Sequence, residues 1–170
     1  MKIRKATSAD VKSIAKVHVD SWRTTYRNIV PDEHLNELTY ESKEQQWEYI
    51  LSKATVFVAE NEKDEIVGFA NGGPERSGDY PGFDGELYAI YVLAEYQHKG
   101  IGKMLMEPLV EELKEQGIFS MIVCVLEDNP SRQFYEKLGA KRIDTLKIEI
   151  EGKELNESVY GWEDIRGLVK

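Results

Sequence analysis

The spacing of apolar residues changes period several times along the chain, and each change marks an element. Residues 2–6 (K-I-R-K-A) read as a short opening strand. Val11, Ile14, Ala15, His18 and Trp22 then recur at helical intervals, so one stripe of a first helix faces a core. Thr7 or Ser8 offers its N-cap and Asp10 lies in its first turn. Two more helical segments follow at 32–38 and 42–52, the second bringing Trp47 and Ile50 to packing. The period falls to two at 55–60 (T-V-F-V-A-E) and 65–71 (E-I-V-G-F-A-N), an antiparallel pair around a polar turn. Residues 72–85, rich in Gly, Pro, Asp and Ser, read as a loop. Residues 86–92 (E-L-Y-A-I-Y-V) form a central strand; strict alternation puts Glu86, Tyr88, Ile90 and Val92 on one face and Leu87, Ala89 and Tyr91 on the other.

Ile101, Met104, Leu105, Leu109 and Leu113 carry one apolar helix face to Gly117, and Pro108 should kink its axis. Residues 119–126 (F-S-M-I-V-C-V-L) read as a strand buried on both faces. Asn129 then caps a helix, Pro130 suits its first turn, Phe134 and Leu138 point inward, and Gly139 ends it. Strands 141–150 and 155–162 close the chain around a turn at Glu151, Gly152 and Lys153.

The stretch that bears chemistry is the strand 86–92, the polar corner Q-H-K-G-I-G-K and the helix from Ile101. Backbone N–H groups at such a helix start have no helical partner, and the helix dipole adds partial positive charge, which suits phosphate. Gly100 and Gly102 let an anion approach the backbone, and Lys99 and Lys103 add charge. Spacing discriminates between phosphate motifs. A P-loop would need Gly at Gln97 and a hydroxyl at Met104, and a dinucleotide fingerprint would need Gly at Leu105. The pattern [Q/R]-x-x-G-x-G/A is satisfied by Gln97, Gly100 and Gly102. Here the sequence resembles the GNAT superfamily of acyl-CoA-dependent N-acetyltransferases, whose corresponding loop wraps the pyrophosphate of CoA. About thirty residues on, Asn129–Gly139 supplies a second GNAT signature, N-P-x-R-x-F-Y-E-K-x-G.

The resemblance covers the chain from Ile3 to Trp162 and implies one domain over 1–170. The implied fold is α/β, with a mixed, mostly antiparallel sheet of six or seven strands and about four flanking helices. A V-shaped splay between the strand at Val92 and the strand ending at Leu126 would admit the pantetheine of acetyl-CoA. On this reading Ile90, Tyr91 and Val92, the corner residues Gln97, His98, Lys99, Gly100, Ile101, Gly102 and Lys103, and Asn129 with Arg132 contact the cosubstrate. Arg132 is equally open to a surface salt bridge. A backbone N–H near Val92 would stabilise the oxyanion.

Tyr135 would protonate the departing thiolate, since a phenol with a reference pKa near 10 still carries its proton at pH 7. Glu86 matches where several GNAT enzymes keep a general base, and it has work to do: only about one amine in a thousand is deprotonated at pH 7. It would act directly or through a water chain, or stand as an ordinary strand-end carboxylate. Trp22, Tyr26 and Tyr88 are the acceptor-side candidates, although aromatic packing accounts for the first two equally well. The S-W-R-x-x-Y-R-x-x-x-P wording is similar to a bacterial subgroup with polyamine-acetylating members, and Tyr160 is a further candidate for the acceptor wall.

Composition narrows the partners. A net charge of −9 opposes nucleic-acid binding and is compatible with a cationic small-molecule amine. Cys124 sits in an apolar run and reads as a buried small hydrophobe. His18 reads as a satisfied core histidine, His34 and His98 stand without companion ligands, and no metal is expected. With no signal peptide, no lipidation motif and no apolar run of about 18 residues, a cytoplasmic enzyme free of membranes is expected. Family habit makes a homodimer an open option. The alternatives are a CoA-binding regulatory module without transferase activity and an enzyme acting on a protein N-terminus or lysine.

Overall fold

In the computed structural model, which describes residues 1–168, seven strands form one sheet in the order β1-β2-β3-β4-β5-β7-β6. The strands are β1 (Lys2–Lys5), β2 (Phe57–Glu60), β3 (Ile66–Pro74), β4 (Gly85–Val92), β5 (Met121–Leu126), β6 (Lys141–Ile150) and β7 (Lys153–Trp162). Every neighbouring pair is antiparallel except β4 and β5. Five helices, where the resemblance implies about four, flank the sheet: α1 (Val11–Thr25), α2 (Asp32–Glu37), α3 (Tyr40–Lys53), α4 (Ile101–Glu115) and α5 (Arg132–Lys137).

Two apolar layers fix which helix covers which face. Ile14, Ala15 and Val17 of α1 and Trp47 of α3 bury Val58, Ile66 and Phe69 on one side. Leu105, Met106, Leu109 and Leu113 of α4 bury Phe57, Ala59, Val67 and Leu87 on the other, where Tyr135 of α5 joins them. A third cluster ties the end of α1 (Val19, Tyr26) and α2 (Leu35) to Leu126 and Leu155. The helix caps follow from local chemistry. Arg4 and the Thr7 N–H both hold the Asp10 carboxylate, at 2.8 Å each, before α1. Thr39 accepts the Ser42 N–H at 3.1 Å, which starts α3 two residues earlier than periodicity indicates.

Four sequence expectations are corrected. The supposed loop 72–85 is partly sheet, because β3 runs to Pro74 and Gly85 opens β4. Its glycines answer to crowding: a Cβ on Gly72 would lie 2.6 Å from the Glu86 carbonyl oxygen, and one on Gly85 2.8 Å from that of Ser120. Alternation along β4 also breaks. Asn71 pairs with Ala89 but Gly72 with Leu87, so Tyr88 is an extra residue in a bulge. Leu87 therefore shares the α4 side with Ile90 and Val92, while Ala89 and Tyr91 face α1. β5 is not buried throughout, since Cys124 is exposed. The β6–β7 turn has two residues, Glu151 (φ 49°) and Gly152 (φ 80°), so β7 begins at Lys153.

Candidate active site

Pairing between β4 and β5 covers only Gly85–Leu87 against Met121–Val123; beyond it the strands part. The hydrogen-bond phase on each side shows what the gap exposes. Leu93 N–H reaches Val67 O at 2.9 Å, so alternation turns the backbone groups of Ile90 and Val92 away from β3 and into the gap. Glu127 N–H reaches Asn156 O at 2.9 Å, which likewise turns Cys124 and Leu126 toward the gap. Ser21 of α1 and Tyr26 just after it line this opening from one face of the sheet, and Ser131 and Tyr135 from the other. Ser21 Oγ is buried there without a hydrogen-bond partner among the described residues.

The corner follows from two left-handed residues, His98 (φ 61°) and Gly100 (φ 81°), which turn the chain into α4. The first helical bond runs from Met104 N–H to Gly100 O at 3.1 Å, leaving the amides of Ile101, Gly102 and Lys103 ahead of it. The two glycines have different reasons. Gly100 needs its positive φ, with open space where a Cβ would stand. At Gly102 a Cβ would meet the Phe134 ring at 3.1 Å. Gln97 braces the corner, donating from Nε2 to Val92 O at 3.1 Å, and Lys99 lies over the Tyr96 ring at 5.4 Å. Lys103 is exposed and Arg132 half-buried, and neither forms an ion pair with a described residue.

Tyr135 is buried against Trp162, and burial pushes its phenol well above the usual range. Its hydroxyl has no hydrogen-bond partner among the described residues. Asn129 lines the gap with one bond on each side of its amide: its Nδ2 donates to Tyr26 Oη at 2.8 Å and its Oδ1 accepts Ser131 N–H at 2.8 Å. It thus holds the turn ahead of α5 and fixes Tyr26. Trp22 donates from Nε1 to Tyr91 Oη at 2.9 Å, and Tyr91 stacks on His18 at 5.3 Å. His18 accepts from Trp47 Nε1 at 2.9 Å, and burial lowers its pKa to about 4, which makes it the satisfied core histidine expected. Tyr160 is no acceptor wall: it packs under Tyr135 and bonds Glu136 at 3.1 Å.

Glu86 is buried at the start of β4, and Arg76 holds it with Nη2 at 2.7 Å and with Nε and the backbone N–H at 3.2 Å each. The same guanidinium lies 4.2 Å from the centre of the Tyr88 ring, whose hydroxyl donates to Pro74 O. Sequence reasoning missed Arg76, whose neighbours in the chain carry no pattern. It also misread Cys124, which opens into the gap, where partial desolvation by the surrounding walls and nearby Glu157 and Glu86 push its thiol up to about 12. Nor does His34 stand alone: its ring nitrogen and carboxylate oxygens of Glu37 and Glu151 lie within 4.8 Å of one another, on the surface.

Comparison with known proteins places this geometry. The model of the acetyltransferase (GNAT) family matches residues 17–140. The uncharacterized N-acetyltransferase YuaI of Bacillus subtilis is 46% identical over 98% of this chain and 95% of its own. Spermidine N(1)-acetyltransferase of Thermoplasma acidophilum is 28% identical over 85% and 91%. Among solved structures, ribosomal-protein-alanine N-acetyltransferase of Brucella melitensis superposes with a TM-score of 0.74 at 26% identity, covering 95% and 99% of the two chains. PaiA N-acetyltransferase of T. acidophilum, in complex with coenzyme A, gives 0.73 at 22% identity over 93% and 98%. Matched along nearly its whole length, the chain belongs to the GNAT family and is an acyl-CoA-dependent N-acetyltransferase.

Proposed function

We propose that this enzyme moves the acetyl group of acetyl-CoA to the primary amine of a small molecule or polyamine, by direct attack while both are bound. The observation that supports this most is the parted β4–β5 edge beside open amides at the start of α4. The residues present fit acetyl-CoA. The amides of Ile101, Gly102 and Lys103, with Lys99, Lys103 and Arg132 nearby, suit a diphosphate. The edge groups of Ile90, Val92, Cys124 and Leu126 suit an extended arm that bonds as another strand would. When bound, acetyl-CoA supplies an activated acyl group on a good leaving sulfur.

The chain's own residues then divide the work. Val92 N–H is the donor toward the carbonyl oxygen. Tyr135, kept in its phenol form by burial, donates a hydrogen bond to the sulfur and releases its proton as charge builds there. The ammonium proton leaves toward a carboxylate on the acceptor side, directly or through water, and Glu86 is the one the sequence offers for this. Trp22, Tyr26 and Tyr88 wall the approach. The relation to spermidine acetyltransferase favours a polyamine, as does the net charge of −9.

Thiol release from acetyl-CoA across a library of primary amines tests this reading, with Tyr135→Phe and Glu86→Gln alongside. Turnover with at least one small amine is expected, and Tyr135→Phe should lower kcat about 100-fold or more while CoA still binds. Full activity in Tyr135→Phe removes it as the proton donor. Binding without release from any amine leaves a regulatory module, and turnover of alanine-ended peptides alone moves the acceptor to a protein N-terminus.

A further inference from the structure

Three carboxylates stand on the α1 face, one each on β4, β7 and β6, and only one is uncommitted. Glu86 of β4 is held by Arg76. Asp144 of β6 accepts the Tyr80 hydroxyl at 2.8 Å and the Thr145 N–H at 2.8 Å. Glu157 of β7 has no hydrogen-bond donor and no ion-pair partner among the described residues, although it is half-buried. Its position follows from register. Glu157 pairs with Leu126 and Val159 with Cys124, so Glu157 lies diagonally across from Cys124, about 7–8 Å between backbones. Cys124 lines the gap. Leu155, two residues earlier on the same face, packs with Tyr26 and Leu126.

Glu157 has defined surroundings. Tyr26 stands on one side, held by Asn129. The segment 75–84 crosses the other, tied by Arg76 to Glu86 and by Tyr80 to Asp144. The titratable and charged groups facing Glu157 are therefore Glu86 with Arg76, Cys124, Asp144 with Tyr80, and Tyr26. Burial, with Glu86 adding repulsion, raises the Glu157 carboxyl above its ordinary range. A positive charge entering here relieves both terms. Protonating Glu86 would weaken three contacts from Arg76, whereas protonating Glu157 weakens none.

We propose that Glu157 receives the acceptor as an ammonium ion and takes its proton. This rests on the transfer reaction proposed above and names the group that makes its nucleophile. The proton balance closes. One N–H bond of the ammonium breaks to Glu157, and the freed lone pair forms the N–C bond as C–S breaks. Tyr135 protonates the thiolate, the second nitrogen proton refills Tyr135, and Glu157 returns its proton to water.

The test is kcat/KM against pH, from about pH 6 to about pH 9, for wild type, Glu157→Gln, Glu157→Asp and Glu86→Gln. The readout is thiol release with spermidine, glycinamide and an alanine-ended peptide, and acetyl-CoA binding is followed by thermal shift. Glu157→Gln should keep the acetyl-CoA thermal shift and lose about 100-fold in kcat/KM, more than Glu86→Gln, together with the acidic limb of the profile. Glu157→Asp should recover part of the rate. A Gln variant within about three-fold of an active wild type, with the limb intact, overturns the inference and leaves acetyl transfer standing. Loss of the thermal shift in Glu157→Gln shows a structural role and also overturns it. An inert wild type overturns both readings.

Discussion

Gly100 and Gly102, two residues apart in one motif, answer to different physics. Gly100 holds a left-handed φ with nothing near its missing Cβ, so Gly100→Ala should lose about 1 kcal/mol, or roughly 2–4 °C in Tm, and weaken CoA by distorting the corner. Thermal melts and calorimetric titration read both. At His18, burial depresses the pKa to about 4 from an unfolded value near 6.5. The neutral ring is the folded form, so its contribution is complete above about pH 6.5 and is lost as pH falls toward 4. The loss should reach about 3 kcal/mol near pH 4 and vanish from the pH dependence of His18→Gln, measured by urea unfolding. Gln97 to Lys103 and Asn129 to Tyr135 each lie in one contiguous motif, so both stretches could be singled out by spacing alone. Arg76 and Glu157 could not be, because each comes near Glu86 from a segment that carries no pattern.

Elements were legible wherever one period ran long enough: α1, α4 and the paired strands β2 and β3 all fall where the apolar spacing puts them. The failures lie where a glycine or an extra residue interrupts the period. Gly72, Gly73 and Gly85 read as loop but are strand residues, Gly72 and Gly85 crowded by backbone and Gly73 by the Tyr88 side chain, and the Tyr88 bulge left no trace in a run of alternating residues. That bulge turns Leu87 to the α4 side and lets Glu86 face α1. Gly72→Ala would drive a Cβ against a main-chain oxygen that cannot swing aside, so it should destabilise the protein by more than about 2 kcal/mol. Urea denaturation measures this, with kcat falling as the β4 register shifts.

At the scale of the molecule, the family and the fold were legible from two motifs, whereas the acceptor was not. A mixed, mostly antiparallel sheet of six or seven strands follows from the resemblance, whereas the surroundings of Glu157 bring together β5, β6, β7 and Tyr26, which no one stretch of sequence joins. CoA at about 100 times its Kd should add about 2.7 kcal/mol of stability, or roughly 5–10 °C in Tm. Amide exchange should slow most at Ile90, Val92, Cys124 and Leu126, the backbone groups that the parted strands leave unmatched.

A sheet that opens between two central strands is a partition with a slit, reached from α1 on one side and from α5 on the other. Two reagents arriving through opposite doors need not queue. Initial-rate plots against either should intersect instead of running parallel, and each product can depart by the way its parent came.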